Sequence, residues 1–463
     1  RMTLGVVPRV APNCAFCHQG SYRLSPAMPA QLVSAGAGTR VDVQAYLRFL
    51  SRAGQDPRFT SERLMEEINA IADLPLWERM LYRHALIPAT RKALRDLAAG
   101  FRWTETRPDW GPGRIDPFNP VKFANLGLPD DGTIGNSDMM PLWALGPVAS
   151  DANAIRAMHW DGLMTDLHET VVAGAIGDGM SWQSYPRTKT NLARMEEFIR
   201  VQTPPPSPFR SDLAPGDPFR VDAAEVQAGH RIYARLCADC HEPGGQRFRQ
   251  PIPAAEIGTD RHRLDMWTAA ARDRYAGHEE GHSWGFRSFR KTEGYSAVNL
   301  TGLWLRGPYL HNGSVPSLRA LLMPPAQRPR TFLRGSDLID PENGGFRPDP
   351  ASPGWLYDTT LPGNGNGGHP WGTDLPPAER DALLSYLKTL LGSHAVPETP
   401  CPVACRNGPR SGPCDRHCRV LPTARLYRAG PRRLWQCQGR GHDGRADRPA
   451  FQTRGRAIFR CHG

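Results

Sequence analysis

Apolar positions recur at helical spacing in several stretches of the first half of the chain. Residues 41–50, 64–71 and 191–201 each place apolar side chains three or four positions apart. A longer stretch at 76–97 has the same period but contains Pro88, which should end or kink a helix because proline has no N–H to donate. These patterns predict a mostly α first half.

Two further helices are predicted in the second half. Asp222 is a good N-cap for a helix that runs to Leu236. Pro376 and Pro377 mark the start of a later helix. This helix carries one apolar stripe at i, i+4 and i+7, formed by Leu383, Leu387 and Leu390. We therefore expect a mostly α fold with long loops and few strands.

Composition divides the chain into segments. The 463 residues suggest about three domains, and the 46 glycines and 45 prolines indicate long connections. The proline-rich run that begins at Thr203 is typical of a stiff linker. We predict an N-terminal domain at 1–203 whose true start is missing, a linker at 204–221, a C-terminal domain at 222–395, and an Arg/Cys-rich tail at 396–463 that is disordered or aberrant.

The net charge of +11 comes from the tail alone. Residues 401–463 contain fourteen arginines, no lysine and three aspartates, so the other 400 residues carry 43 basic and 43 acidic side chains. The charges of residues 1–400 therefore cancel, so the net charge gives no support to nucleic-acid binding by this part of the chain. No run approaches eighteen apolar residues, so the sequence predicts no membrane-spanning helix.

Outside the tail, every cysteine belongs to one of two copies of a single motif. C-A-F-C-H lies at 14–18 and C-A-D-C-H at 237–241. C-x-x-C-H is the attachment motif of c-type haem, in which two thiols form thioethers with one porphyrin and the histidine binds the iron. The six members are Cys14, Cys17, His18, Cys237, Cys240 and His241. Because such attachment takes place outside the cytoplasm, we expect a periplasmic or secreted protein.

Other uses of the cysteines fit less well. A zinc ribbon needs its two pairs some fifteen to twenty residues apart, whereas these pairs are more than two hundred residues apart. Disulfides or a thioredoxin-like pair would leave both histidines without a role. In the tail, Cys401, Cys405, Cys414 and Cys418 are spaced for zinc, although the composition there favours a segment outside the fold.

The segment P-Y-L-H-N-G-S-V-P-S-L at 308–318 resembles bacterial di-haem cytochrome c peroxidases. H-W-D-G at 159–162 and L-H-E at 167–169 are similar to two segments of their first domain. The rubber-oxygenase-type branch of that superfamily is closer, on G-R-I-D-P-F at 113–118, E-I-G-T-D at 256–260 and the glycine-rich run that ends at His369. The resemblance covers about 10–392, and implies two cytochrome c domains with one haem each and an electron path between them.

The resemblance also implies roles for individual residues. His18 and His241 take the proximal iron positions. His369 is the first candidate for the distal ligand of the second haem, and Met323 is its rival, since the peroxidases use a methionine shortly after the His-Asn-Gly segment. Tyr309 and His311 are expected to line the haem pocket.

At the first haem, the catalytic acid of the peroxidases aligns on or beside His168, with Glu169 next to it. A proton shuttle above an open iron position is what peroxide chemistry requires. Trp160 is expected to be a pocket wall or an electron relay. The superfamily often holds Ca²⁺ with a threonine at the position of Arg306, so calcium is only a secondary candidate here.

These expectations lead to two functions. The first is a di-haem redox protein that transfers electrons and has one haem open for peroxidase- or oxygenase-type chemistry. The alternative is a simple electron carrier with both haems six-coordinate. The expected partner is a redox protein or a small-molecule oxidant, with no nucleic acid and no membrane span.

Overall fold

The computed structural model describes residues 12–145, 157–277 and 286–390, together with the backbone of four short strands near the termini. The chain divides into two compact units, 1–398 and 399–463. Both predicted domains and their linker fall within the first unit, so their separation stays a prediction. Two predictions for the tail, that it is disordered and that its cysteines bind zinc, fall on residues outside the described ranges.

The described fold is mostly α, as predicted. The helices are α1 (Val43–Gln55), α2 (Ser61–Ile71), α3 (Leu76–Leu81), α4 (Ile87–Gly100), α5 (Leu167–Gly177), α6 (Tyr185–Arg200), α7 (Ala223–Leu236), α8 (Ala238–His241), α9 (Ala254–Ile257), α10 (His262–Met266), α11 (Ala269–Gly277), α12 (Leu318–Leu321) and α13 (Pro377–Thr389). Shorter 3₁₀ turns lie at Cys14–Phe16, Arg102–Thr106, Trp182–Ser184, Leu303–Leu305 and Pro325–Gln327, and π-helical turns at Tyr82–Leu86 and Val121–Asn125.

Strands occur only as two-stranded antiparallel pairs in the described part of the chain. The pairs are β1 (Met2–Leu4) with β2 (Val7–Arg9), β3 (Gln19–Tyr22) with β4 (Gln31–Ser34), β5 (Arg114–Ile115) with β6 (Ser137–Asp138), β7 (Pro251–Pro253) with β8 (Gly294–Ser296), β9 (Thr331–Arg334) with β10 (Trp355–Asp358), and β11 (Arg419–Val420) with β12 (Trp435–Gln436). These short pairs fasten loops and do not form a core sheet.

The predicted helix interruption at Pro88 is confirmed. Pro88 lies in the first turn of α4, and the π-helical turn Tyr82–Leu86 separates α4 from α3. A proline is tolerated in a first turn, where its missing N–H would have no partner within the helix. The wider π turn keeps the chain helical across the interruption.

α7 and α13 cross closely, and this crossing organises the second half. A Cβ atom on Gly229 of α7 would overlap the carbonyl oxygen of Ala382 of α13, so only glycine permits this approach. Tyr233 and Leu383 belong to the apolar core around the crossing, and Cys237 packs against that core. The prediction of a helix before the second motif and a closing helix packed on it is confirmed.

The helix α5 was not predicted from the sequence. Its apolar residues are distributed around the whole helix, so no single stripe marks it as amphipathic. The local start signal is present, since the carboxylate of Asp166 accepts the N–H of Glu169 at 2.8 Å. Because α5 buries residues on more than one side, it lacks the single apolar face that would have predicted a helix here.

Replacement of Gly229 by alanine should lower the free energy of unfolding by about 2 kcal/mol, because the added methyl group meets backbone that cannot move aside without separating the helices. Gly174→Ala in α5 is the matched control, since a Cβ there has open space around it and alanine favours helix by up to about 1 kcal/mol. Urea unfolding of both variants provides the measurement. Equal stability of the two variants would contradict the close crossing.

Candidate haem sites

The first motif forms a single tight turn. Asn13 caps it by accepting the N–H of Ala15 at 3.0 Å, and the N–H of His18 donates to the carbonyl of Cys14 at 2.9 Å. The thiols of Cys14 and Cys17 are free, so neither is used in a disulfide. Both thiols and the imidazole therefore lie within one turn, as haem attachment requires.

The imidazole of His18 is held by a distant backbone group. Its Nδ1 donates a hydrogen bond of 2.9 Å to the carbonyl oxygen of Met140. Burial lowers the pKa of His18, and the hydrogen bond to Met140 opposes that shift. A neutral imidazole with Nδ1–H donated to a carbonyl has Nε2 free as a metal ligand, and the bond fixes the ring orientation.

The second motif repeats this arrangement at the end of α7. Asp222 caps the helix through the N–H groups of Ala224 and Glu225, at 2.8 and 2.9 Å. The N–H of His241 donates to the carbonyl of Cys237 at 3.0 Å. Nδ1 of His241 then donates to the carbonyl of Val298 at 2.7 Å. Two motifs with different flanking structure thus hold their histidines in the same way.

His369 lies opposite His241. The two ring centroids are 6.3 Å apart, with the ring planes inclined by 41°. Two metal–imidazole bonds of about 2 Å each, plus the two ring radii, sum to about 6 Å, so the gap fits one iron between the rings. Nδ1 of His369 is buried without a hydrogen-bond partner among the described residues. These observations fit a haem held on both faces.

The electrostatics and backbone of His369 also fit a metal ligand. Burial, helped by His241 and Arg328, lowers the pKa of His369 to about 3, so the ring is neutral at physiological pH. Its φ of +52° lies in the left-handed region, which a non-glycine residue adopts only under the constraint of its surroundings. Its ring also contacts Trp371 edge-on, at 5.2 Å between centroids.

Segments that are far apart in sequence meet around the loop at 363–369. The N–H of His369 donates to the carbonyl of Ile257 at 2.8 Å. The side-chain amide of Asn312 donates to the carbonyls of Gly363 and Gly365, at 3.2 and 2.9 Å. Arg114 donates to the side-chain oxygen of Asn364, at 2.7 Å. The segments that carry the family resemblance therefore pack together on the candidate ligand loop.

The rival ligand Met323 lies in the turn that follows α12 and is partly buried. Its carbonyl accepts from Nε of Arg328 at 3.3 Å. The ring of His369 lies 6.3 Å from that of His241, and Met323 stays a predicted alternative.

Tyr309 and His311 are both buried near the second motif. Tyr309 belongs to the core against which Cys237 packs, and its hydroxyl donates to the carbonyl of Leu303 at 3.2 Å. His311 is 4% exposed, and its ring stacks on Tyr295 at 3.9 Å between centroids. Burial lowers the pKa of His311 to about 3, with Asp260 opposing the shift.

Both predicted proton-transfer residues already bind protein groups. Nδ1 of His168 lies 2.9 Å from a carboxylate oxygen of Glu196, and Nε2 lies 3.1 Å from the hydroxyl of Tyr185. The carboxylate of Glu169 accepts the N–H groups of Arg287 and Ser288, each at 2.9 Å. These contacts tie α5 to α6 and to the segment after 285, and a catalytic role for either residue stays a prediction.

Trp160 is hydrogen-bonded to both of the segments whose carbonyl groups hold His18 and His241. Its indole Nε1 donates to the carbonyl of Asp138 at 2.8 Å, two residues before the Met140 that holds His18. Its own carbonyl accepts the N–H of Ser296 at 2.7 Å, two residues before the Val298 that holds His241. The indole also packs against the same small apolar core as Cys240.

Comparison with known proteins adds one family and two relatives. Residues 294–333, which include Tyr309, His311 and Met323, match the family described as "RoxA-like, cytochrome c-like". This segment of the chain is therefore similar to part of a cytochrome c-like domain. Such a domain implies covalently bound haem and its iron, and the match supports in part the resemblance to the rubber-oxygenase-type branch.

The two relatives are proteins of Sinorhizobium fredii that are described as uncharacterized. One, y4iJ, is 44% identical over 105 residues, and the other, y4iM, is 34% identical over 168 residues. The matches cover 21% and 31% of this chain, and 18% and 38% of the respective relatives. The chain therefore matches well under half of either relative.

The described residues offer no acidic cluster for calcium, the secondary candidate. Within the described residues, no group of three or more histidine, cysteine, aspartate or glutamate side chains is placed to hold a metal ion. Arg306, at the position of the superfamily's threonine ligand, donates to the carbonyl of Thr301 at 2.9 Å. No helix in the described part of the chain has the length and apolar character needed to cross a membrane.

Sequence reasoning missed the groups that hold the histidines. The acceptors of Met140 and Val298 are backbone carbonyls, which any residue type supplies, so no sequence pattern marks them. Arg328 and Asn312 fasten the loop of His369 by donating to carbonyls. The resemblance of the surrounding segments to a known family was the one sequence feature that pointed to this region, and it does not specify individual contacts.

The buried His311 should make stability depend on pH. Because its pKa falls from about 6.5 unfolded to about 3 folded, the unfolded state binds more protons below about pH 6.5. Its stabilising effect is therefore complete above that pH and is lost, by about 1.4 kcal/mol per pH unit, as the pH falls.

His311→Gln should flatten this dependence between about pH 6 and 4, measured as the free energy of urea unfolding. His84→Gln is the control, because His84 is exposed on a π-helical turn. Parallel pH profiles for the wild-type protein and His311→Gln would count against the buried neutral imidazole.

Proposed function

We propose that the protein is a di-haem c-type cytochrome that transfers electrons outside the cytoplasm, with one haem open on one face for redox chemistry with peroxide or dioxygen. The observation that carries the proposal is the pair of C-x-x-C-H turns, each with a neutral histidine whose Nδ1 is hydrogen-bonded to a carbonyl. Two equivalent supports are best explained by two haems.

We propose that His241 and His369 would together hold the iron of the second haem. The 6.3 Å separation of the ring centroids supports this assignment. Axial ligands set haem potentials over about 0.8 V, and a haem ligated on both faces is suited to accept and pass electrons. When bound, the haem supplies this redox chemistry, while the chain holds both imidazoles neutral and oriented.

The first haem is proposed to be bound through His18 and to be the site of any reaction with a small oxidant. His168 and Glu169 are the predicted acid–base residues, and Trp160 is predicted to be a pocket wall or an electron relay. The hydrogen bonds of Trp160 to the segments that support both motif histidines favour a connecting role. We propose that Trp160 would connect the two sites that hold the haems, and that the partner is a redox protein or a small-molecule oxidant.

A specific observation favours the simpler alternative. Both ring nitrogens of His168 and both oxygens of Glu169 are engaged in hydrogen bonds with protein groups. A group held in this way is poorly placed to deliver a proton above an iron position without first breaking those bonds. An electron carrier with both irons six-coordinate needs no such group.

The number of haems is tested by expression in a host that attaches c-type haem. The wild-type protein should carry two haems per chain, measured by the pyridine haemochrome assay against protein concentration. The double variants Cys14→Ala/Cys17→Ala and Cys237→Ala/Cys240→Ala should each retain one, because each removes both thioether positions of one site. A single haem in the wild-type protein would remove the di-haem proposal.

Electron paramagnetic resonance of the oxidised protein tests the open position. We expect one low-spin and one high-spin ferric signal, and a response of the high-spin signal alone to hydrogen peroxide. His369→Ala should convert the second haem to high spin, whereas Met323→Leu should leave it low spin. Two low-spin signals without any response to peroxide would establish the electron-carrier alternative instead.

A further inference from the structure

Arg328 is a buried guanidinium whose hydrogen-bond partners, among the described residues, are all backbone carbonyls. It is 5% exposed, and within the described residues no carboxylate lies at salt-bridge distance from it. Its five N–H donors match five carbonyl contacts, two of them at the end of α12 and three in the His369 loop. These are Leu321 at 3.1 Å, Met323 at 3.3 Å, Asn366 at 2.6 Å, Gly368 at 2.8 Å and His369 at 3.4 Å.

The five acceptors belong to the two segments that carry the alternative ligands. Leu321 and Met323 lie at the end of α12 and in the turn after it, and the other three lie in the loop that carries His369. A guanidinium is planar and its donors have fixed directions. Arg328 therefore sets the separation of the two segments as well as the path of each.

The loop at 363–369 needs these hydrogen bonds because its glycine-rich sequence allows many backbone conformations. Residues 363–368 contain four glycines, and both Gly368 and His369 have positive φ, at +81° and +52°. A histidine in the left-handed region persists only when its surroundings hold it there. On the other side of the loop, Ile257 accepts the N–H of His369 at 2.8 Å.

We propose that Arg328 is a positioning residue that keeps His369, and not Met323, on the iron of the second haem. This inference rests on the proposed function, in which His369 is the distal ligand. Arg328 does not touch the iron or a substrate. It acts by holding the backbone of both candidate ligands, so the ligand identity depends on a residue outside the ligand set.

The test is Arg328→Lys in the full haem-loaded chain. Lysine keeps the positive charge, but a single ammonium has three donors and no planar fork, so it does not hold five carbonyls in two segments. The apparent affinity of the oxidised second haem for cyanide, which must displace His369, should rise at least about tenfold. Arg330→Lys is the matched control, because Arg330 is exposed two residues away.

A second variant, Gly368→Ala, keeps the proposal testable if Arg328→Lys folds poorly. In Gly368→Ala the new Cβ would lie 2.5 Å from the backbone nitrogen of Thr259, which disturbs the same loop with Arg328 intact. Its cyanide affinity should also rise. If Met323 replaces His369 after the loop is loosened, adding Met323→Leu to either variant should produce a high-spin second haem in electron paramagnetic resonance.

The outcomes separate this proposal from the proposed function. If His369→Ala changes the second haem to high spin while Arg328→Lys and Gly368→Ala keep cyanide affinity within about twofold of wild type, His369 is the ligand and Arg328 does not position it. If His369→Ala leaves the spectrum unchanged, the assignment of His369 fails, and the role of Arg328 fails with it. A rise in cyanide affinity in Arg328→Lys but not in Arg330→Lys supports the proposal.

Discussion

The donation of an imidazole Nδ1–H to a backbone carbonyl is the interaction on which both candidate haem sites depend. It joins His18 to Met140 at 2.9 Å and His241 to Val298 at 2.7 Å. Because it fixes the tautomer and the ring plane together, it decides where the free Nε2 points. A C-x-x-C-H turn without such a partner would carry a histidine free to rotate.

The supports of the two histidines are themselves connected. Trp160 bonds through its indole N–H to the segment that ends at Met140, and through its carbonyl to the segment that ends at Val298. Asp138 in the first segment is also paired with Arg334 in the interior and donates its N–H to the carbonyl of His311. A displacement of the segment that holds one histidine would therefore be transmitted to the segment that holds the other through a few hydrogen bonds. Such bonds are strong where water is excluded.

Several buried polar contacts join the loops that lie between the two motifs. Asp161 and Arg263 form a buried pair at 3.0 Å, Arg114 donates to the side-chain oxygen of Asn364, and Arg328 donates to backbone carbonyls. Loops rich in glycine and proline offer few apolar side chains, so apolar packing alone would not fix their paths. Buried donors that must find acceptors restrict such loops to few arrangements, because an unpaired buried group is costly.

The sequence by itself determined what depends on local spacing: the C-x-x-C-H turns, the capped helix that ends at Cys237, and the closing helix with its leucine stripe. Each is encoded within about fifteen residues, where periodicity and capping operate. Only the tertiary structure decided that His369 faces His241, that His168 and Glu169 are engaged elsewhere, and that Arg328 holds the ligand loop. Those outcomes rest on contacts between distant segments, mostly to backbone carbonyls, which every residue has and no sequence pattern distinguishes.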